Sequence, residues 1–325
     1  MKLTMQLKSR SYDIILKAGC LANLHQFTNV ANRKVFVLTD SGVPAEYAQT
    51  VAAQCPDSTV YTIPRGEGSK CLKVYGQVLQ AMLAFGMDRK DLLVSVGGGV
   101  VGDLGGFCAA SYMRGIDFVN CPTTVLSQVD SSIGGKTAID LGETKNIVGA
   151  FWQPKVVLVD FDTLKTGIIG DPQLFALFEC EHPEDNIEQI VYRSLKFKKK
   201  IVEQDEREGS VRACLNFGHT IGHGIEAVRG VRGRRTTGLY HGECVALGML
   251  PMIEDTALLK RTRAIYRALG LPTRAGANKE KVLAYMQHDK KARGDHITVI
   301  KCPGLGCWRA DSLPMTELPV LLGME

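Results

Sequence analysis

Lys34-Val35-Phe36-Val37-Leu38-Thr39-Asp40 is a short β-branched apolar run that closes on a polar turn, the pattern of a buried strand. From Tyr75 to Phe85 apolar residues recur at helical spacing. Asp91-Leu92-Leu93-Val94-Ser95-Val96 then runs straight into Gly97-Gly98-Gly99. Phe118–Cys121 and Val156–Asp160 read as further short strands, and Met1–Thr4 alternates like an edge strand. Strands alternating with helices predict a parallel sheet covered by helices, with ligands at the carboxyl ends of its strands. From about Leu164 long helical patterns take over: Asn186 to Asp205, Ala213 to Val228 and Gly242 to Leu259. Leu271-Pro272 and Cys302-Pro303-Gly304 mark later breaks. The fold class is therefore α/β: an N-terminal parallel-sheet nucleotide-binding domain over residues 1–163, then a mainly helical domain over 164–325.

Length agrees, since 325 residues exceed the ~250–300 at which one core usually stops growing. A content of 45% hydrophobic and 22% charged residues is that of an ordinary globular protein. The formal charge of +5 is dispersed, apart from Lys198-Lys199-Lys200 and Arg232–Arg235. Without a basic stripe interleaved with aromatics, nucleic acid is not an expected partner. The surplus suits an anionic small molecule. No apolar run reaches the ~18 residues of a membrane span. The ten cysteines stand singly in apolar runs, with no CxxC pair and no signal peptide ahead of them, so a reducing cytoplasm is expected.

Three motifs carry chemistry. The first, Gly97-Gly98-Gly99-Val100-Val101-Gly102-Asp103, follows a strand and opens a helix, where free N–H groups can meet a phosphate. Its spacing is not GxGxxG, but Arg65-Gly66-Glu67-Gly68-Ser69-Lys70 adds a second turn with a carboxylate and a lysine. The second, Pro122 to Thr137, sets hydroxyls, an amide, Asp130 and Lys136 directly after an apolar strand. Lys136, Lys145 and Asn146 together suit a phosphorylated substrate. The third is His219-x₃-His223, followed by His241-Gly242-Glu243. Residues i and i+4 share a helical face, and three of the seven histidines lie between 219 and 241, which favours a metal over core packing.

At these residues the sequence closely resembles the 3-dehydroquinate synthase family, over roughly residues 30 to 300. The most specific stretches are Gly97–Asp103, Pro122–Pro154 and Leu215–Glu226. The iron-dependent alcohol and glycerol dehydrogenases share the domain plan but not the Asp130-Ser-Ser-Ile-Gly-Gly-Lys136 loop. The cyclases that make deoxy-inosose or valiolone rings diverge in it too. The resemblance implies cyclisation of 3-deoxy-arabino-heptulosonate 7-phosphate to 3-dehydroquinate with release of phosphate, a shikimate-pathway step dependent on NAD and on zinc or cobalt. It implies an NAD site lined by Asp40, Glu67, Lys70, Gly99, Val100, Val101, Gly102, Asp103, Thr123, Thr124 and Thr163-Leu164-Lys165-Thr166, with Lys136 and Lys145 adjoining. It places Asp130, Lys136, Lys145, Asn146, Lys198, Arg212 and Asn216 around the substrate, and His223 beside it as a proton-transfer group. His219 and His241 would bind the metal. Lys290 and Lys291 match a late substrate-contacting motif, and Arg114 would reach the neighbouring subunit's substrate phosphate, which implies a homodimer.

One departure stands out. In the family a glutamate ligand and a substrate-binding lysine lie on a helix after the Leu164-Lys165-Thr166 segment. Here Thr166 is followed at once by Gly167-Ile168-Ile169-Gly170-Asp171-Pro172, which resembles the end of that helix. The intact remainder of the site argues for residues left out of the sequence over a true deletion. Glu179, Glu181 and Glu184 lie nearby, but no motif makes any of them a replacement. Two other readings stay open: a polyol dehydrogenase of the glycerol dehydrogenase type, and an inactive homologue without the third ligand.

Overall fold

The computed structural model describes residues 1–8, 10–124, 127–142, 144–160, 171–207, 211–229, 238–239, 241–287, 292–293 and 295–321, with residues 129, 184, 241, 287, 292 and 293 described along the backbone alone. The chain divides into two compact units, Met1–Ile168 with Glu184–Arg207, and Ile169–Pro183 with Glu208–Glu325.

In the first unit the strands are β1 (Lys2–Met5), β2 (Tyr12–Leu16), β3 (Lys34–Asp40), β4 (Asp57–Ile63), β5 (Leu92–Gly97), β6 (Asp117–Pro122), β7 (Lys136–Leu141), β8 (Thr144–Phe151) and β9 (Val156–Val159). Seven of them form one sheet in the order β1-β2-β9-β6-β5-β3-β4 among the described residues. All neighbours are parallel except β1, an antiparallel edge as its alternation predicts. The helices are α1 (Ala45–Ala52), α2 (Leu72–Ala84) and α3 (Gly99–Ser111). The central strands are buried on both faces, which explains their unbroken apolar runs. Val35, Val37, Leu92 and Val94 pack on one side with Val51 of α1. Phe36, Leu38 and Leu93 face the other side, with Met82 of α2 and Leu104 of α3. β7 and β8 form a separate two-stranded hairpin.

The second unit begins with α4 (Pro172–Phe178), whose Asp171 carboxylate caps the Gln173 N–H at 2.8 Å. α5 (Ile187–Gln204) belongs to the first unit, although a division at 163/164 assigns everything beyond it to the second. That boundary itself falls within residues 161–170, outside the described ones. Further helices are α6 (His219–Arg229), α7 (His241–Met249), α8 (Thr256–Ala268) and α9 (Lys279–Gln287), with a short α10 (Leu318–Leu321) near the carboxyl end. An antiparallel sheet follows α9, of β10 (Ala292–Arg293), β11 (His296–Gly304) and β12 (Cys307–Pro314). Ile221, Ile225, Leu247, Tyr266 and Val299 form the core of this unit.

Two predicted helices are interrupted. The pattern from Ala213 to Val228 splits into a 3₁₀ stretch, Val211–Asn216, and α6, divided at Phe217-Gly218. The pattern from Gly242 to Leu259 ends at Met249. Pro251 lies in a short 3₁₀ turn, Ile253 adopts extended backbone and bridges to Cys302, and Asp255 caps α8 through the Leu258 N–H at 2.9 Å. Proline and a new capping carboxylate override a helical hydrophobic pattern because they act on backbone hydrogen bonds, which periodicity does not register.

All ten cysteines are free thiols. Burial, with the Asp160 carboxylate adding to it, pushes Cys20 up to about 12. Burial alone takes Cys55 to about 11, and with minor opposing hydrogen bonds it does the same for Cys214. These thiols are inert at neutral pH. Among the described residues no helix is long and apolar enough to cross a membrane.

At the amino end of β6, Asp117 meets Arg10 at 2.8 Å, Arg33 at 3.3 Å and Lys155 at 3.4 Å. Burial works to raise its pKa, but the Arg10 hydrogen bond and the three cations outweigh it, leaving the carboxyl below its ordinary value. A lowered folded pKa contributes stability above the unfolded value near ~3.9 and loses it as pH falls through the folded one. Asp117→Asn should therefore cost about 1–2 kcal/mol at neutral pH. The difference from wild type should begin to shrink near about pH 4 and disappear only once pH has fallen through the lowered folded pKa, in urea midpoints measured across pH. A gap that persists unchanged into acid would contradict this.

Candidate active site

The sheet order reverses at β3: the chain leaves it for β4 on one side and returns to β5 on the other. Such a switch point opens a crevice at the carboxyl ends of the strands, where α/β sheets bind ligands. Asp40 ends β3 and Gly97 ends β5, so both flank that crevice. The Asp40 carboxylate accepts the Gly42 N–H at 2.7 Å and shapes the turn. α3 starts directly beyond β5 with no side-chain cap. The first-turn N–H groups of Gly99, Val100 and Val101 thus point out of the helix without an intrahelical acceptor, the usual seat of a phosphate. Gly102 and Asp103 continue the same helix. Thr123 and Thr124 follow β6 on the adjacent strand. Thr123 N–H donates to Gly97 O at 2.9 Å, and the Thr124 hydroxyl is within 2.9 Å of Ser127 Oγ.

Lys70 is 4% exposed and sits behind this crevice. Its ammonium donates to the Asp103 carboxylate and to Asn146 Oδ1, with Glu67 at 3.9 Å. Burial opposes its charge, but Asp103 and Glu67 more than offset that, and its pKa ends above the ordinary lysine value. Lys70 therefore stays cationic and ties the Gly97–Asp103 helix to the β7–β8 hairpin. The adjoining backbone does the same, with Asp140 N–H donating to Lys70 O at 2.8 Å.

Pro122 to Thr137 is not a solvated loop. Ser127, Gln128, Ser132 and Thr137 are buried, and Gln128 Nε2 donates to Pro122 O and Asp160 O. Asp130 lies in the Ser127–Ser131 turn, where Lys198 of α5 donates to its backbone oxygen and, at 2.5 Å, to its carboxylate. This pair joins residues far apart in sequence and, with the Gln6 N–H donating to Glu203, ties α5 to the first unit. Lys136 opens β7 opposite Phe151, whereas Asn146 lies by Asp140 at the other end of the hairpin, beside Lys145. Four residues of strand separate their backbones by roughly 13 Å, so these three side chains meet only through their own length. Arg114 is exposed, in a turn after α3.

In the second unit Arg212 is buried and Asn216 half-buried within the 3₁₀ stretch before α6. His219 and His223 share one side of α6, their rings 5.6 Å apart and perpendicular. His219 Nδ1 lies 3.2 Å from Phe217 O. A backbone carbonyl at Nδ1 favours the tautomer that leaves Nε2 unprotonated, the usual support for a metal-ligating histidine. His241 opens α7, with its side chain outside the described residues. Thr163, Leu164, Lys165, Thr166, Lys290 and Lys291 also lie outside them.

Two family models match this chain: 3-dehydroquinate synthase N-terminal over residues 60–169, and 3-dehydroquinate synthase C-terminal over 162–292. A 3-dehydroquinate synthase from Streptococcus suis (strain 05ZYH33) is 37% identical, covering 98% of both chains. One from Streptococcus thermophilus (strain CNRZ 1066) is 39% identical at the same coverage. The chain belongs to the 3-dehydroquinate synthase family. The Streptococcus suis alignment spans 354 positions against 325 residues here, so that 3-dehydroquinate synthase carries residues this chain does not. Among solved structures, a 2-deoxy-scyllo-inosose synthase complexed with carbaglucose-6-phosphate, NAD+ and Co2+ has a TM-score of 0.83 at 22% identity, covering 99% of both chains. A 2-epi-5-epi-valiolone synthase from Streptomyces hygroscopicus subsp. jinggangensis with NAD+ and Zn2+ bound gives 0.82 at 23%, covering 98% of this chain and 97% of that one. A probable glycerol dehydrogenase from Sinorhizobium meliloti shares the fold more distantly, at 0.58.

The described residues fit a nucleotide at the uncapped start of α3 and one nitrogen ligand at His219. Among them, no three His, Cys, Asp or Glu side chains converge on one point. Sequence reasoning passed over Glu226, buried on α6 at i+7 from His219, although its spacing signals the shared face. Trp152 and Gln153 were passed over too, and no sequence signal marked either of them.

Proposed function

We propose that this chain is a cytoplasmic, homodimeric 3-dehydroquinate synthase that converts 3-deoxy-arabino-heptulosonate 7-phosphate to 3-dehydroquinate and inorganic phosphate, with NAD and zinc or cobalt. The observation that carries the reading is the Asp130–Lys136 loop, set directly after β6 and gripped by Lys198, in a chain matched by both family models. A polyol dehydrogenase has no use for such a loop.

When bound, NAD supplies a hydride acceptor that is restored within each turnover, and the metal acts as a Lewis acid on a substrate alcohol. The residues hold and orient. The α3 N–H groups take the pyrophosphate, with Asp40 and Glu67 placed for ribose hydroxyls, Thr123 and Thr124 lining the same end, and Thr163 to Thr166 completing it. His219 and His241 would hold the metal, and His223 would hand protons at the substrate. Lys198, Arg212 and Asn216 suit the substrate carboxylate, joined by Lys290. Lys136, Lys145, Asn146 and Arg114 of the partner subunit suit its phosphate. Clamping a dianion at both ends lowers barriers by orientation, with few dedicated bases. The phosphate's own oxygen can then take the adjacent carbon's proton as the C–O bond breaks, which leaves inorganic phosphate and no net redox change.

Phosphate release equal to substrate consumed, with catalytic NAD and no build-up of NADH, is the expected result for the purified protein with added zinc. Net NADH formation from glycerol and NAD, without phosphate release, would establish the dehydrogenase reading instead.

A further inference from the structure

Arg114 sits in unusual backbone. Met113 (φ 50°, ψ 27°) and Arg114 (φ 65°) are consecutive non-glycine residues in the left-handed region, followed by Gly115 at φ 119°. Side chains of that kind stay there only where the surroundings leave no alternative, and such strain gathers at functional sites. Trp152 supplies the constraint. A Cβ built on Gly115 would lie 2.4 Å from the Trp152 ring, so the indole packs on the bare Cα. Its Nε1–H donates to Ile116 O at 3.0 Å. Ring and hydrogen bond together hold the two residues that follow Arg114.

The other end of Trp152 holds a second turn. Its main-chain N–H donates to Gly135 O at 2.7 Å, immediately before Lys136. Gly135 is also left-handed (φ 67°), and a Cβ there would lie 2.4 Å from the side chain of Gln153. Gln153 is 6% exposed, and its Nε2 donates at 3.1 Å to Glu206, just beyond the helix that carries Lys198. The Trp152 side chain also borders the small cavity lined by Ser131, Ser132, Lys136 and Thr137. One dipeptide therefore moulds the turn after Arg114 and the turn before Lys136.

We propose that Trp152 and Gln153 are positioning residues that jointly set Lys136 for the substrate phosphate of their own subunit and Arg114 for that of the partner subunit. The proposal rests on the reading of those two cations as phosphate contacts. Neither residue reaches substrate on this view. They act through the two glycine turns, and NAD, seated at the α3 N–H groups with Lys136 only adjoining, should sense them far less than the sugar phosphate does.

The test uses Trp152→Ala, Trp152→Phe and Gln153→Ala in the full chain. Trp152→Ala and Gln153→Ala should each raise KM for the sugar phosphate about tenfold or more. KM for NAD should stay within about twofold in each variant, since its site makes no use of either side chain. Trp152→Phe, which keeps a ring on Gly115, should recover most of the loss. If Trp152→Ala does not fold, Gln153→Ala alone decides by the same criterion. Equal shifts in both KM values, or an unchanged KM for the sugar phosphate, would overturn the proposal. A second arm needs no turnover. Inorganic phosphate should slow hydrogen exchange at residues 113–116 and 134–137 in the wild type but not in Gln153→Ala. The same response in both proteins, including no response, would also overturn it. A wild type that releases no phosphate from substrate yet shows this protection would instead refute the proposed reaction.

Discussion

His219→Ala should lose the bound divalent metal on dialysis and drop phosphate release by at least about a hundredfold. His219 stands at the first position of α6 with Nδ1 beside the Phe217 carbonyl, so its ring is orientated before any ion arrives. His223, one turn on, faces it at 5.6 Å between ring centroids. In the proposed division of labour, His223→Ala keeps the metal and loses about 10²–10⁴ in rate, as expected for a proton-transfer group. Metal content of the two variants separates the roles cleanly. Full metal retention in His219→Ala with activity within tenfold would remove His219 from the ligand set. The site depends heavily on its histidines because the glutamate ligand implied by the family resemblance has no counterpart in the 325 residues. A wild type that holds about one zinc per subunit would show that the present residues suffice, and would dispose of the inactive-homologue reading.

Lys70→Met should destabilise the first unit by about 3–5 kcal/mol, because it strands a buried carboxylate rather than merely removing a contact. Lys70 is nearly inaccessible, and its ammonium is shared between Asp103 and Asn146. Without it, the Asp103 carboxylate on α3 loses its compensating charge, and burial has already raised its pKa. Asp103→Asn in the same background should restore part of the loss, which a double-mutant cycle would read. The pKa of Lys70 is raised in the fold, so its contribution is complete at neutral pH and disappears only in strong alkali. Urea unfolding should show the deficit unchanged between about pH 6 and 9, with weaker NAD binding alongside. A midpoint shift worth under about 1 kcal/mol would mean that water already compensates the pair.

The apolar run from Lys34 to Asp40 is β3 residue for residue, and Leu92 to Gly97 is β5, because both are buried on two faces and need no alternation to be recognised. The glycine turn before α3 and the i, i+4 histidines were legible for a similar reason: each depends on spacing within one element. β4 and the β11–β12 hairpin were not recognised, since their burial is partial and mixed and leaves no clean period. What the sequence by itself determined is thus the parallel core, the place of the glycine turn before α3 and the chemistry of the side chains on offer. Tertiary structure alone decided who meets whom. Lys70 is turned toward Asp103 and Asn146 instead of solvent, Lys198 closes on Asp130 from a helix expected in the other domain, and Trp152 fills the space a Cβ would occupy on Gly115. Burial makes such long-range charge pairs and close packings decisive, through desolvation and the exclusion of overlapping atoms, and neither leaves a periodic trace along the chain.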